Sequence, residues 1–193
     1  MKLRAVLQIT GVVIAAAVTG ALLTRPLISH LMDRRAIHNG PWRSSATTGS
    51  SEANPWERAA VALAGLYALT PQEAIYFTAL TDSAGEPLRG ECRYTVSGAP
   101  PPARWWSLTA YGADHYLVPN PAGRYARHLG NLPTSETGRF EIAVSAQPPA
   151  DNGLPSPPQG PFSLTLRLYN PAPEVLSQLA TLPLPTITRE GCP

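Results

Sequence analysis

The chain has 193 residues, with 15 Lys and Arg against 13 Asp and Glu, 22 Pro, 2 Cys and a charged fraction of 15%. That fraction lies below the roughly 25% of an average soluble protein, which excludes a highly charged disordered chain, and two cysteines are too few for a disulfide-dense scaffold. The basic excess is confined to the start, where Lys2, Arg4, Arg25, Arg34 and Arg35 stand against Asp33; the remainder is slightly acidic with its arginines scattered. Nucleic-acid binding needs a basic footprint on the folded part and is excluded on that ground.

Residues 6–23 (VLQITGVVIAAAVTGALL) carry no charge. As a helix this run is about 27 Å long, close to the hydrocarbon thickness of a bilayer. Residues 1–35 are therefore expected to form a membrane anchor with its juxtamembrane segment. The rival reading is a cleavable signal peptide, with Lys2 and Arg4 as its basic start and Thr19-Gly20-Ala21 as a poor cleavage site. The usual apolar stretch of such peptides is only about 7–15 residues, which favours the uncleaved anchor. Basic residues flank the run on both sides, so the positive-inside rule does not orient it.

Residues 36–54 lack hydrophobic periodicity, and Ser44–Asn54 is rich in Ser, Thr and Gly, which predicts a flexible tether. Asn54-Pro55-Trp56-Glu57 then supplies a helix cap, a proline at the first helical position and a glutamate three residues after the cap. A helix is predicted from Pro55 to Leu69, stopped by Thr70-Pro71.

Beyond Pro71 the period changes from 3.6 to 2. Phe162, Leu164, Leu166 and Leu168 alternate with Ser163, Thr165 and Arg167, and Phe140, Ile142 and Val144 alternate with Glu141 and Ser145. Cys92, Tyr94 and Val96 alternate with Arg93, Thr95 and Ser97, which turns Cys92 inward. Further strands are predicted at 75–80, 104–111, 115–118 and 186–189, a short helix at 173–179, and loops in the Pro-rich stretches 98–103 and 147–161. The fold class is mainly β: residues 55–193 form a β-sandwich or jelly roll with one or two short helices, behind a single N-terminal transmembrane helix.

The chain resembles the bacterial family called domain of unknown function 1214. The resemblance rests on Gly40-Pro41-Trp42-Arg43, on 58–65 (RAAVALAG), on Glu73-Ala74-Ile75-Tyr76-Phe77, on 104–111 (RWWSLTAY), on 120–125 (NPAGRY), on 166–171 (LRLYNP) and on Arg189-Glu190-Gly191-Cys192, from about residue 40 to the end. It is closest in form to the short, membrane-anchored branch, in which this domain stands apart from a companion-domain protein, domain of unknown function 1254, that other relatives carry in the same chain. The resemblance implies a β-sandwich and a companion envelope protein as partner; it carries no established catalytic residue. At 152–155 the chain reads Asn-Gly-Leu-Pro where the family usually has Asn-Trp-Leu-Pro, so an aromatic contact from that loop is lost.

Metal-ligand spacing is absent around His30, His38, His115 and His128, and no nucleophile elbow, phosphate loop or dinucleotide fingerprint occurs. The best candidate triad joins Asp114 and His115 to Ser107, although neighbouring strand residues face opposite ways, and a surface turn is the simpler reading. No catalytic residue, metal or cofactor is therefore assigned. Trp105 and Trp106 must also diverge. One belongs in the core; the other either lies under the predicted helix or anchors a binding surface with Tyr111, Tyr116, Arg124 and Tyr125 around it. Arg124 is either part of a tight turn or a clamp for an anion, and Arg167 is expected to pair with Glu141 on a neighbouring strand. Cys92 and Cys192 either remain separate thiols or form one disulfide in an oxidising compartment. The expectation is a bacterial inner-membrane protein with its C-terminal domain in the periplasm, docking with the companion protein. The alternatives are a hydrolase of ester or glycosidic bonds, alone or as half of a composite site, and a sugar- or lipid-binding domain.

Overall fold

A computed structural model describes residues 2–63, 65–133 and 138–192. The first element, α1, runs from Lys2 to Arg35, well past the apolar stretch. Its large apolar side chains from Val6 to Leu23 are exposed, and it is long and apolar enough to cross a membrane. Pro26 lacks the N–H that would bond the Leu22 carbonyl, an interruption helices tolerate when neighbouring groups compensate. Near its end Ile28 is buried.

The tether predicted at 36–54 is corrected by two short strands. Strands β1 (Ile37–Asn39) and β2 (Trp42–Ser44) form a hairpin around Gly40, whose φ of 58° suits glycine at a two-residue turn. β2 then pairs with β3 (Ala74–Ala79). Trp42 is buried in the core, and its Nε1 donates to the Pro185 carbonyl at 2.7 Å. Two strands of three residues carry too little alternation to be read from composition, so the folded unit starts at Ile37 and not at residue 55.

The Ser and Thr residues that suggested flexibility serve Glu57. In α2 (Pro55–Leu63) the cap forms as the spacing predicts, with Asn54 Oδ1 accepting from the amides of Trp56 (3.0 Å) and Glu57 (3.1 Å). The Glu57 carboxylate does not return to the cap. It accepts hydroxyl bonds from Ser45 (2.5 Å), Thr47 (2.7 Å) and Thr48 (2.7 Å) and is 3% exposed. Burial alone would raise its pKa; the three donated hydroxyls outweigh that and hold the carboxyl below its ordinary value. A group with a depressed folded pKa stabilises the fold above its unfolded pKa and loses that contribution as pH falls through the folded one. Glu57→Gln is therefore expected to unfold at lower urea at neutral pH, by about 1–3 kcal/mol, and to show a shallower loss of stability than wild type below about pH 4. Urea titrations between pH 2 and 7 read both effects. The helix ends at Leu63, short of the expected Leu69. Gly65 enters the left-handed region (φ 64°), and the amides of Gly65 and Leu66 return to Ala62 and Val61.

The remaining strands are β4 (Arg93–Gly98), β5 (Ala103–Gly112), β6 (Ala126–His128), β7 (Phe140–Ser145), β8 (Gly153–Pro155), β9 (Phe162–Pro171) and β10 (Thr186–Gly191), with a 3-10 turn at Pro173–Ser177. They form two sheets, ordered β1-β2-β3-β9-β5-β6 and β10-β4-β7-β8. All pairs are antiparallel except β7 with β8. The chain thus folds as a β-sandwich. Phe77, Trp106, Leu108, Leu164, Leu166 and Leu168 of the larger sheet meet Tyr94, Val96, Phe140, Ile142 and Val144 of the smaller one. Trp106 lies against Phe140 with ring centroids 4.5 Å apart. The segment 115–118, expected as a strand, is instead a turn with one bridge from Leu117 to Tyr111 and His115 at φ 66°. β6 and β8 were not foreseen.

Cys92 and Cys192 are joined by a disulfide. Cys92 immediately precedes β4 and Cys192 follows β10, and these strands are neighbours, so the bond fastens the edge strand β10 where its pairing ends.

Candidate functional site

Strand register decides what the outer face of the six-stranded sheet presents. Side chains alternate, and β9 lies between β3 and β5. Opposite Arg167 stand Tyr76 and Ser107, and opposite Ser107 stands His128; Thr165 is flanked by Thr78 and Thr109, and Tyr169 by Ala74 and Trp105. None of these outward strand residues is acidic.

The two tryptophans diverge. Trp106 is 2% exposed, inside the core; Trp105 is 39% exposed on the outer face. The predicted cover by α2 is corrected: α2 packs against α1 and leaves Trp105 exposed. The indole stacks on His128 at 4.9 Å between centroids, and a Cβ added to Gly130 would fall 2.9 Å from its ring. His128 is itself oriented, its Nδ1 accepting from the Gly130 amide at 3.1 Å. Beside Trp105 lies an open depression of about 490 Å³ lined by Arg104, Trp105, Ser107, Tyr169 and Asn170.

Arg167 does not pair with Glu141, which sits on β7 in the other sheet. Its Nη2 donates to the Tyr111 hydroxyl at 2.6 Å, and its guanidinium lies 5.3 Å from the Tyr111 ring centroid and 5.9 Å from that of Tyr76. Arg167 and Tyr111 stand on either side of the Thr165–Thr109 row, so their bridge passes over it. This accounts for the burial of Thr109 and Thr165 on an outer face.

Arg124 binds the chain's own carbonyls. Its Nη1 donates to Pro149 (3.0 Å) and Gly153 (3.3 Å). Buried Arg127, which sequence reasoning missed, donates to Gly153 (2.8 Å), Ala150 (2.9 Å) and Asn131 (3.2 Å). Burial first, and then the charge of Arg124, lower the Arg127 pKa, with Asp151 opposing. Together these arginines tie β6 to the loop entering β8 and close that end of the sandwich. The glycine at 153 belongs to this closure, since a Cβ there would fall 2.2 Å from the Pro149 carbonyl oxygen.

Of the residues expected around the exposed tryptophan, Tyr111 shares its face through Arg167. Tyr116 (76% exposed) lies on the connection between β5 and β6, and Tyr125 (41% exposed) immediately precedes β6. The candidate triad does not assemble. Ser107 sits mid-strand opposite His128, while Asp114 Oδ1 closes the following turn by accepting from the Tyr116 amide at 3.0 Å. No hydrogen bond joins Ser107 to His128, and no group of three or more His, Cys, Asp or Glu could hold a metal among the described residues. A larger depression of about 850 Å³ near the disulfide is lined by Arg89, Glu91 and Arg93 among others, with Arg89 pairing with Glu91 at 3.0 Å.

The fold and this surface define a β-sandwich with an aromatic and cationic outer sheet face. A family model described as "Protein of unknown function (DUF1214)" matches residues 73–173, more than half of the chain, and the protein belongs to that family. No curated protein matches it. Among solved structures it is similar to the VPA0106 protein from Vibrio parahaemolyticus, with a TM-score of 0.64 and 23% identity over 86% of this chain and 42% of that one. An uncharacterized protein from Burkholderia cenocepacia aligns with a TM-score of 0.48 and 18% identity, over 86% of this chain and 40% of that one. The chain thus spans about two fifths of the length of these solved structures.

Proposed function

We propose that this is a membrane-anchored envelope protein without catalytic activity of its own, whose sandwich docks with a companion periplasmic protein along the β6 edge. The observation that carries the reading is Trp105. A large aromatic side chain is held in a fixed pose by His128 and Gly130, 39% exposed, beside a short edge strand whose neighbours Tyr125 and Leu129 are also exposed. Tryptophan and tyrosine are the residues on which interface energy concentrates; the backbone of β6 is capped by Asn131, which accepts from the His128 amide (2.8 Å) and donates to the His128 (3.0 Å) and Ala126 (3.3 Å) carbonyls, so a partner would meet this edge through side chains. Two further observations support the setting. The apolar part of α1 has no protein cover, as suits an inner-membrane span, and the disulfide suits the periplasm. In the Vibrio protein more than half of the chain lies outside the matched region. A companion in the present case would supply as a separate chain what such longer relatives carry alongside this domain.

The test is affinity purification of the full-length protein from its native membranes in mild detergent, with mass spectrometry of what stays bound. A stoichiometric companion-domain protein is expected, and Trp105→Ala should weaken the association by about 30-fold, corresponding to a hot spot of about 2 kcal/mol, and so lower its recovery. Thermal unfolding of Trp105→Ala should stay near wild type. Recovery of the protein alone, or of the companion unchanged with Trp105→Ala, overturns the reading.

A further inference from the structure

Arg167 is a cation with most of its hydrogen-bonding capacity unspent. Among the described residues it has no carboxylate partner, unlike Arg43, Arg89 and Arg189. A guanidinium has five N–H donors, and the bond to Tyr111 uses one. The group is nonetheless held in place. Tyr111 and Tyr76 flank it, and the Tyr76 hydroxyl is itself fixed by the Leu69 amide at 3.0 Å. A half-buried, pre-positioned planar fork with free donors, on a sheet face whose outward strand residues include no acid, is built to receive a carboxylate in bidentate fashion.

The surroundings narrow what carries that carboxylate. Ser107, directly opposite Arg167, and Tyr169, two residues along β9, line the open depression together with Trp105, and Arg167 stands beside it, adjacent to Ser107 across the strand pair. Aromatic rings offer apolar faces, while hydroxyls and the Asn170 amide offer polar edges. A ligand that matches both has ring faces bearing C–H groups and rims bearing hydroxyls. The depression is open, which suits units of an extended chain better than an enclosed small molecule. We propose that the outer sheet face is a binding site for an acidic saccharide, with a uronate carboxylate on the Arg167 guanidinium and an adjoining sugar ring over Trp105 and Tyr169. The site shares only Trp105 with the docking edge and requires no companion protein.

The test is calorimetric titration of the full chain in neutral detergent with digalacturonate, with its dimethyl ester and with acetate. Digalacturonate is expected to bind at least about tenfold more tightly than the ester, the loss appropriate to a charge-assisted fork, and acetate more weakly than either. Arg167→Met should abolish the preference for the acid over the ester, and Arg167→Lys should retain part of it. Thermal unfolding of both variants checks that the sheet is intact, and Arg167→Lys carries the test if the methionine variant does not fold. Equal binding of acid and ester, a preference that survives in Arg167→Met, or acetate binding as tightly as digalacturonate would each overturn the proposal. Because no companion protein is present, failure here leaves the docking reading untouched, and the reverse holds as well.

Discussion

Replacing Cys92 and Cys192 together by alanine is expected to lower the free energy of unfolding by about 4 kcal/mol. The two cysteines are 100 residues apart. In the chain-entropy account, closing a loop of that length removes about 4.7 kcal/mol of unfolded-state freedom, and native disulfides typically contribute about 2–5. The bond also fastens β10 to β4, so its loss should first free the C-terminal strand. Urea unfolding with and without reductant measures the magnitude, and hydrogen exchange on residues 186–191 should show their amides losing protection before those of β9. Equal midpoints with and without reductant would contradict this.

The second large effect concerns Trp106, and its neighbour is the control. Trp106 is 2% exposed and packs on Phe140 at 4.5 Å, so Trp106→Ala should cost about 3–5 kcal/mol through lost burial and the cavity left behind. Trp105→Ala should cost less than about 1 kcal/mol, because that ring has little core contact to lose. The Trp106 Nε1 is buried without a hydrogen-bond partner among the described residues. Trp106→Phe discards that orphaned donor along with part of the ring and should fall well short of the alanine variant, at about 1–2 kcal/mol. Chemical denaturation of the three variants gives the ranking; a Trp105→Ala cost equal to that of Trp106→Ala would contradict the assignment of faces.

What could be read from the sequence, and what could not, follows from the range of the forces involved. Strand β9 was legible because Phe162, Leu164, Leu166 and Leu168 repeat at the period of a sheet with one buried face. The divergence of Trp105 and Trp106 was legible for the same reason. The hairpin at 37–44 was not, since its strands are three residues long and its burial depends on Pro185, more than 140 positions away. The Ser and Thr residues between 45 and 48 resemble linker composition, and only the position of Glu57 converts them into ligands for a buried carboxylate. Arg124 and Arg127 spend their donors on a loop more than twenty residues ahead that reads as Pro-rich coil. Arg167 was placed on the correct face, but its partner Tyr111 lies diagonally across a row of threonines. Neither alternation nor charge complementarity singles out that pairing.

Helix α1 continues to Arg35, and Ala36 alone separates it from β1. Asp33 in the last turn is bound by the Arg43 guanidinium, and its carbonyl accepts from His38 Nε2 at 3.2 Å. These contacts join the end of α1 to the first hairpin of the sandwich. With residues 6–23 in a bilayer, the helical stem of residues 24–35 would give a stand-off of about 18 Å at most. The outer sheet face would then stand at a limited height above the membrane plane. The companion proposed above, if confined to the same membrane, would then reach Trp105 by lateral diffusion and rotation about the membrane normal, a search in two dimensions instead of three.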